Sequence, residues 1–220
     1  MPSARQESFR FVIPLAVVVL ILIGGCICVR NVWISDVLAF AATLAALLLV
    51  FVVYFFRDPE RAIPTDDAIV VSAADGLVVG VDEMEEPDFH QGKMIRIAVF
   101  LSVFDVHVNR SPVTGLVKST IYKTGQFLDV RHPDSSTRNE CRSWLLETSR
   151  GPVAVRQIAG LVARRIVAWS SEGATLARGE RMGMIRFGSR TEVFLPLGTT
   201  VLVKIGDRVE GAATPLARWA

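Results

Sequence analysis

The chain has 220 residues, enough for one domain of ordinary size with additions. A formal net charge of +2 gives no bulk electrostatic case for a nucleic-acid partner. Three cysteines, Cys26, Cys28 and Cys141, have no paired spacing and argue against a disulfide framework or a zinc site.

Mean hydropathy is +0.41, and the apolar excess is concentrated at the N-terminus. Residues 11 to 29 carry no charge, and residues 32 to 56 carry only Asp36. At about 1.5 Å per residue, each run is long enough to cross a hydrocarbon core of roughly 30 Å. A cleaved signal peptide is the rival for the first run, but that run is too long and a second follows at once. The connector near Arg30 and Asn31 leaves room only for a helical hairpin. Arg5 and Arg10 precede the first span, and Arg57 and Arg61 follow the second. The positive-inside bias therefore predicts a membrane anchor over 1–57, with a domain over 58–220 on the cytoplasmic side of the cell membrane.

From residue 63 onward the pattern predicts a β-rich domain. "AIVVSAADGLVVGVDE" holds β-branched runs about Asp75-Gly76, a turn dipeptide. In "KMIRIAVFLSVFDVHVNR", Ile95, Ile97, Val99 and Leu101 fall on one face of a strand. "SPVTGLVKSTIYKTGQFL" repeats the strand, glycine, strand pattern, and "HPDSSTRNECR" reads as a polar loop. "VAVRQIAGLVARRIVAW" reads as a strand followed by a short helix or second strand. Gly206-Asp207 reads as a hairpin turn near the end. The triplet Gly-Leu-Val recurs at Gly76, Gly115 and Gly160, a faint internal echo. Short strands closing in "VKIGDRVEGAATPLA" are similar to the barrel-sandwich folds of lipoyl and biotinyl carriers, so the expected fold is mainly β and of that kind.

Candidate chemistry is sparse. His90, His107 and His132 are too scattered for a metal site, and no HExxH is present. His90 and His132 lie in polar surroundings that suit solvated side chains. His107 ends a hydrophobic strand, where a structural part is the default. The segment "MIRFGSRTEVFLP", residues 184 to 196, breaks a strand with Gly188-Ser189. Ser189 could act as a nucleophile, with His107 as base and Asp75 as orienter. The flanking Phe187 and Thr191 exclude a GxSxG elbow. Residue by residue, this supports a β domain with a serine site.

The ordered set "FFRDPER", "SAADG", "VFLSVFDVHVNRSPVTG", "YKTGQFL", Asn139-Glu140, "QIAGLVARRIV" and "GERMGMIRFGSRTEVFLP" resembles the phosphatidylserine decarboxylase proenzymes of the short type with a Gly-Ser cleavage motif. The resemblance runs from Phe55 to Ala213. It implies that the Gly188–Ser189 bond is cut by the protein itself, giving a large chain of 1–188 and a small chain of 189–220 that stay together as a heterodimer, higher homo-oligomers not being excluded. Both flanks of the cut are expected to remain paired in the sheet. Ser189 would become a covalent pyruvoyl group, forming a Schiff base with the amine of a phospholipid substrate and acting as electron sink for loss of carbon dioxide. No pyridoxal phosphate or lysine Schiff base would then be needed, in keeping with only four lysines. Asp75 matches an acidic residue proposed to orient the self-cleavage base, and His107 matches the histidine of the DxH segment. Where one branch of the family has a second histidine this chain has Arg110, so either His107 serves both maturation and proton donation, which is the expectation here, or Arg110 holds substrate phosphate or carboxylate while another group acts as base. Two further readings stand beside this one: a membrane-tethered barrel-sandwich carrier or adaptor, and a serine hydrolase using Ser189. A carrier needs an acceptor lysine at a hairpin tip, and "SAADGLV" and "KIGDRVEG" place none there.

Overall fold

The computed structural model describes residues 3–89, 92–132, 134–161, 165–186 and 188–220. The chain divides into two compact units, Met1–Asp58 and Pro59–Ala220.

The first unit is a pair of long apolar helices, α1 (Ala4–Cys28) and α2 (Val32–Phe55). Each starts where a polar side chain can cap it: Ser3 accepts the amide of Gln6, and Asn31 accepts the amide of Ile34. Three residues separate the helices, which forces a hairpin-like return. Near the bend, Ser35 Oγ donates to the Cys26 carbonyl at 3.3 Å, satisfying a hydroxyl within an apolar pair. Leu20, Ile21, Ile27, Phe40 and Leu47 are exposed, leaving apolar surface of the kind a hydrocarbon layer covers. At 1.5 Å per residue each helix is roughly 36 Å long, enough to cross that layer.

The second unit is mainly β. Its strands are β1 (Ile69–Val71), β2 (Gly76–Glu85), β3 (Lys93–Leu101), β4 (Val108–Arg110), β5 (Gly115–Lys123), β6 (Cys141–Thr148), β7 (Gly151–Ala159), β8 (Ile166–Ala168), β9 (Thr175–Leu176), β10 (Arg181–Ile185), β11 (Ser189–Leu195), β12 (Thr200–Val201), β13 (Arg208–Val209) and β14 (Pro215–Arg218). One short helix, α3 (Ser135–Arg138), interrupts them. Among the described residues the strands form a curled eight-stranded sheet in the order β13-β2-β3-β11-β7-β6-β5-β9, and two three-stranded sheets, β1-β14-β12 and β4-β10-β8.

The internal echo has a structural basis for two of its three copies. Gly76 opens β2 against β13, with Gly76 opposite Val209; Gly115 opens β5 against β9, with Gly115 opposite Leu176. A Cβ at Gly76 would lie 2.0 Å from the Phe100 carbonyl oxygen, and one at Gly115 would lie 2.9 Å from that of Glu147, so close backbone approach demands glycine at both. The preceding turns match as well. Ser72 Oγ donates to the Ala74 carbonyl and Ser111 Oγ to the Val113 carbonyl. Asp75 accepts the Gly211 amide at 2.8 Å, and Thr114, its counterpart, accepts the Arg178 amide at 3.1 Å. The carbonyls of Ser72 and Ser111 accept the amides of Ala212 and Gly179, both of which have positive φ. The two halves meet along β11 and β7. The third triplet, at Gly160, follows the end of β7 and belongs to neither half.

Several local expectations change in three dimensions. Asp75-Gly76 does not close a hairpin, because β1 and β2 lie in different sheets; the turn at Gly206-Asp207 likewise joins β12 and β13 of different sheets. The segment after β7 resumes as the strand β8, with residues 162–164 outside the described set. His90 also lies outside it, whereas His132 is exposed. The stretch 132–142 is not a solvated loop. It contains α3 and the start of β6, and Ser135, Ser136 and Asn139 are buried. Two of them find partners far away in sequence: Ser136 Oγ donates to Glu192 at 3.1 Å, and Asn139 Nδ2 donates to the Ala159 carbonyl at 2.9 Å.

The central strand β11 explains this coverage. Thr191, Val193 and Leu195 alternate with Arg190, Glu192 and Phe194, as the two-residue period requires. Val193 and Leu195 enter the main core with Val99, Leu101, Val155 and Leu146; burying each such side chain contributes roughly 2 kcal/mol. On the other face Glu192 pairs with Arg96 and Arg190 at 3.1 and 3.2 Å. These buried charges need the 126–139 segment as a roof, which is why a sequence that looks polar is inside.

Candidate active site

β10 ends at Ile185 and β11 begins at Ser189, so the break noted in the sequence is a crossing between two sheets. The expectation that both flanks share one sheet is corrected accordingly. Gly188 makes the turn with φ +61°, and a Cβ there would meet no atom within 4 Å. The left-handed backbone, not a shortage of space, is what calls for glycine. Ser189 follows as the first residue of β11, opposite Leu101 of β3 and Ala159 of β7.

Ser189 is fully buried, and its Oγ has no hydrogen-bond partner among the described residues. Leaving a buried hydroxyl unsatisfied costs about 1–3 kcal/mol, so such a group is a candidate for chemistry. It shares its strand face with a polar cluster: Asn109 donates to Thr191 Oγ1 at 3.1 Å, and Gln157 donates to Asn109. The core thus turns from apolar to polar over two residues before the Gly188–Ser189 bond.

His107 meets the residue before Ser189 at its amide. Its Nε2 accepts the Gly188 amide at 3.2 Å, and its Nδ1 lies 2.9 Å from the Asp105 carbonyl. A carbonyl only accepts, so Nδ1 carries the proton and the Nε2 lone pair accepts the Gly188 amide. The carbonyl is held by a tight turn, in which Asp105 Oδ2 accepts the amide and hydroxyl of Ser102 at 2.8 and 2.7 Å. Asp105 was not singled out from sequence; the S-x-x-D spacing is the signal of its turn, but its orienting atom belongs to the backbone.

Asp75 stands at the same end of the large sheet. Two interstrand spacings, about 10 Å, separate β2 from β11. Its carboxylate accepts Arg61 Nη2 at 2.5 Å and the Gly211 amide at 2.8 Å. Burial raises its pKa, against the lowering pull of those two partners. The structure therefore brings Ser189, Gly188 and His107 together, and gives the orienting contact on His107 Nδ1 to Asp105 rather than Asp75. Arg110 is buried elsewhere, its guanidinium donating to the carbonyls of Gly179 and Pro59 at 3.1 and 3.0 Å.

A cavity of about 330 Å³ opens beside Gly188, within the range of small-molecule sites. Phe100, Leu101, Val103, Val130 and Leu161 give it apolar walls; Asp129 and Arg131 bring the charge. Gly160 also lines it. A Cβ on Gly160 would sit 2.4 Å from the Gly188 carbonyl oxygen and 3.3 Å from its carbon. Its glycine identity sets where the carbonyl of the Gly188–Ser189 bond lies, and no local pattern announces this, because the two residues meet only through the β7–β11 pairing. If the Gly188–Ser189 bond is cut as the resemblance implies, Gly160→Ala should displace that carbonyl and slow the cut about 100-fold, the scale expected for an ångström of misplacement. Gly115→Ala, also crowded by a backbone carbonyl but remote, should cleave at the normal rate. Time courses of chain cleavage on denaturing gels distinguish the two.

Comparison with known proteins agrees with this architecture. Residues 48–217 match the family model described as phosphatidylserine decarboxylase. The chain is 44% identical to the phosphatidylserine decarboxylase proenzyme of Trichlorobacter lovleyi, over 96% of this chain and 94% of the relative. It is 52% identical to the proenzyme of Symbiobacterium thermophilum, over 82% and 84%, and 41% identical to that of Geotalea daltonii, over 93% and 96%. These matches place the chain in a class of decarboxylases. The chain belongs to the phosphatidylserine decarboxylase family.

Proposed function

We propose that the protein is a self-processing decarboxylase that converts phosphatidylserine to phosphatidylethanolamine and carbon dioxide at the membrane. The observation that carries this reading is the fully buried Ser189 hydroxyl, without a partner among the described residues, next to a left-handed Gly188 whose amide meets His107. His107 Nε2 takes the hydroxyl proton and Ser189 Oγ attacks the Gly188 carbonyl carbon. The amide becomes an ester, and the Ser189 nitrogen is left as a free amine. Loss of the Ser189 Cα proton then expels the Gly188 carboxylate by β-elimination. The dehydroalanine tautomerises to an imine, and water converts this to a ketone with release of ammonia. The products are a large chain of 1–188 and a small chain of 189–220.

The site suits a pyruvoyl group at position 189. Leu101 and Ala159 flank that residue in the ladder, so the new terminus stays in place after the cut. A pyruvoyl group there supplies an electron sink for decarboxylating an amino-acid headgroup. His107 remains beside it as the proton-handling residue, oriented by the Asp105 carbonyl. Asp75 has a supporting part, fixing Arg61 and the Gly211 turn at that end of the sheet. Arg110, held by backbone carbonyls, serves the framework in this reading. The helical pair anchors residues 1–57 in the cell membrane, and the basic flanks place the catalytic domain on the cytoplasmic side. Large and small chains remain a heterodimer through the β3–β11–β7 ladder.

The test is turnover. Purified full-length protein in detergent micelles, given phosphatidylserine labelled at the serine carboxyl carbon, should release labelled carbon dioxide with equimolar phosphatidylethanolamine. Borohydride with an added amine should abolish activity by reducing the small chain's carbonyl. Hydrolysis of the lipid without carbon dioxide release, or labelling of Ser189 by a fluorophosphonate, would favour the serine hydrolase. Inertness toward the lipid would favour the adaptor.

A further inference from the structure

The proposed reaction leaves one ionic group of the headgroup unaccounted for. The amine is used at position 189 and the carboxylate departs, but the phosphodiester persists from substrate to product. It lies only about 5 Å from the amine along the headgroup's bonds, so its partner must line the same cavity.

We infer that Arg131 binds the phosphodiester of the lipid headgroup, with Asp129 setting the orientation of its guanidinium. This rests on the decarboxylase reading of the site. Arg131 is the cation among the described residues that line the cavity beside Gly188, and its side chain is 74% exposed. Asp129 accepts Arg131 Nε at 3.0 and 3.1 Å and Nη2 at 2.5 Å. That contact occupies one edge of the fork. The Nη1 edge has no hydrogen bond among the described residues, and a guanidinium edge is well matched to two phosphate oxygens.

The loop is built to hold that edge still. Asp129 Oδ1 also accepts the Arg131 backbone amide at 2.9 Å. The neighbouring Val130 carbonyl accepts Ser135 Oγ at 3.1 Å and Arg190 Nη1 at 2.9 Å. Arg190 directly follows the processed residue and is buried, so the small chain grips the large-chain loop that carries Arg131. Hydrogen bonds from Arg131 hold the Asp129 carboxyl at about 2, so Asp129 is ionised at any assay pH near neutrality. Its negative charge orients Arg131 but also competes with a phosphate.

Opposite effects of two variants test the proposal. Arg131→Ala should raise KM for micellar phosphatidylserine roughly ten- to a hundredfold, the loss of a charge-assisted contact, with self-cleavage and kcat near wild type. Arg131→Lys should recover part of this. Asp129→Asn keeps one oxygen for both the Arg131 amide and Nε, so the fork stays oriented while the competing charge is removed, and it should lower KM a few-fold. Damage to the loop would instead raise KM in both variants or impair cleavage. Either result, or a KM within twofold of wild type in Arg131→Ala, overturns the assignment. If wild-type protein released no carbon dioxide, the decarboxylase reading would fail first and this assignment with it.

Discussion

Ser189→Ala is expected to remain one uncut chain of about full length and to release no carbon dioxide from phosphatidylserine. The change removes the only atom that could attack the Gly188 carbonyl from position 189, and also the precursor of the carbonyl on which turnover depends. It should not unfold the domain. The hydroxyl is fully buried and has no partner among the described residues, so alanine discards a polar group that those residues do not use. Removing an unsatisfied buried hydroxyl is expected to stabilise the precursor by about 1 kcal/mol. Thermal unfolding run beside the gel checks this: an uncut variant at least as stable as wild-type precursor ties the loss of cleavage to chemistry rather than to misfolding. Cleavage at position 188 in this variant would remove Ser189 from the mechanism.

His107→Gln has the second-largest expected effect. Glutamine still offers an oxygen to the Gly188 amide, so the local hydrogen bond can survive. It has no basic nitrogen at the Nε2 position, so the proton on Ser189 Oγ has nowhere nearby to go. Loss of a positioned general base slows a step by roughly 10²- to 10⁴-fold. Pulse-labelled precursor followed over hours should show cleavage slowed to that extent. The small fraction that does mature should also turn over slowly, because the same imidazole handles protons in both stages. Normal maturation with slow turnover would confine His107 to catalysis, and the reverse would confine it to maturation. Normal rates in both would show that its contact with Gly188 is structural.

What the sequence revealed depended on how local each interaction is. The two long helices were legible because residues 11–29 carry no charge and residues 32–56 carry only Asp36. β3 was legible because Ile95, Ile97, Val99 and Leu101 alternate into the core. Residue types raised Ser189 and His107 only as a candidate nucleophile and base; the ordered motifs of the resemblance gave them their roles. The rest is carried by contacts between residues distant in the chain. Gly160 matters through its closeness to the Gly188 carbonyl, which only the β7–β11 pairing creates. Asp105 acts through a backbone oxygen, which no side-chain pattern can report. The 132–142 stretch read as a solvated loop because its serines and asparagine are polar, yet Arg190, Glu192 and Ala159 draw them inside. The Asp75 turn looked like a hairpin because sheet membership is decided by the chain's second half, where β13 and β14 take β2 and β1 into separate sheets.

Intact mass spectrometry of the purified protein is the most direct measurement. A chain of residues 1–188 and a second of residues 189–220, the latter lighter by one ammonia than its sequence requires, is the predicted result. A single full-length species, or a small chain of unaltered mass with a free serine amine, obtained from material that still decarboxylates phosphatidylserine, would contradict the account.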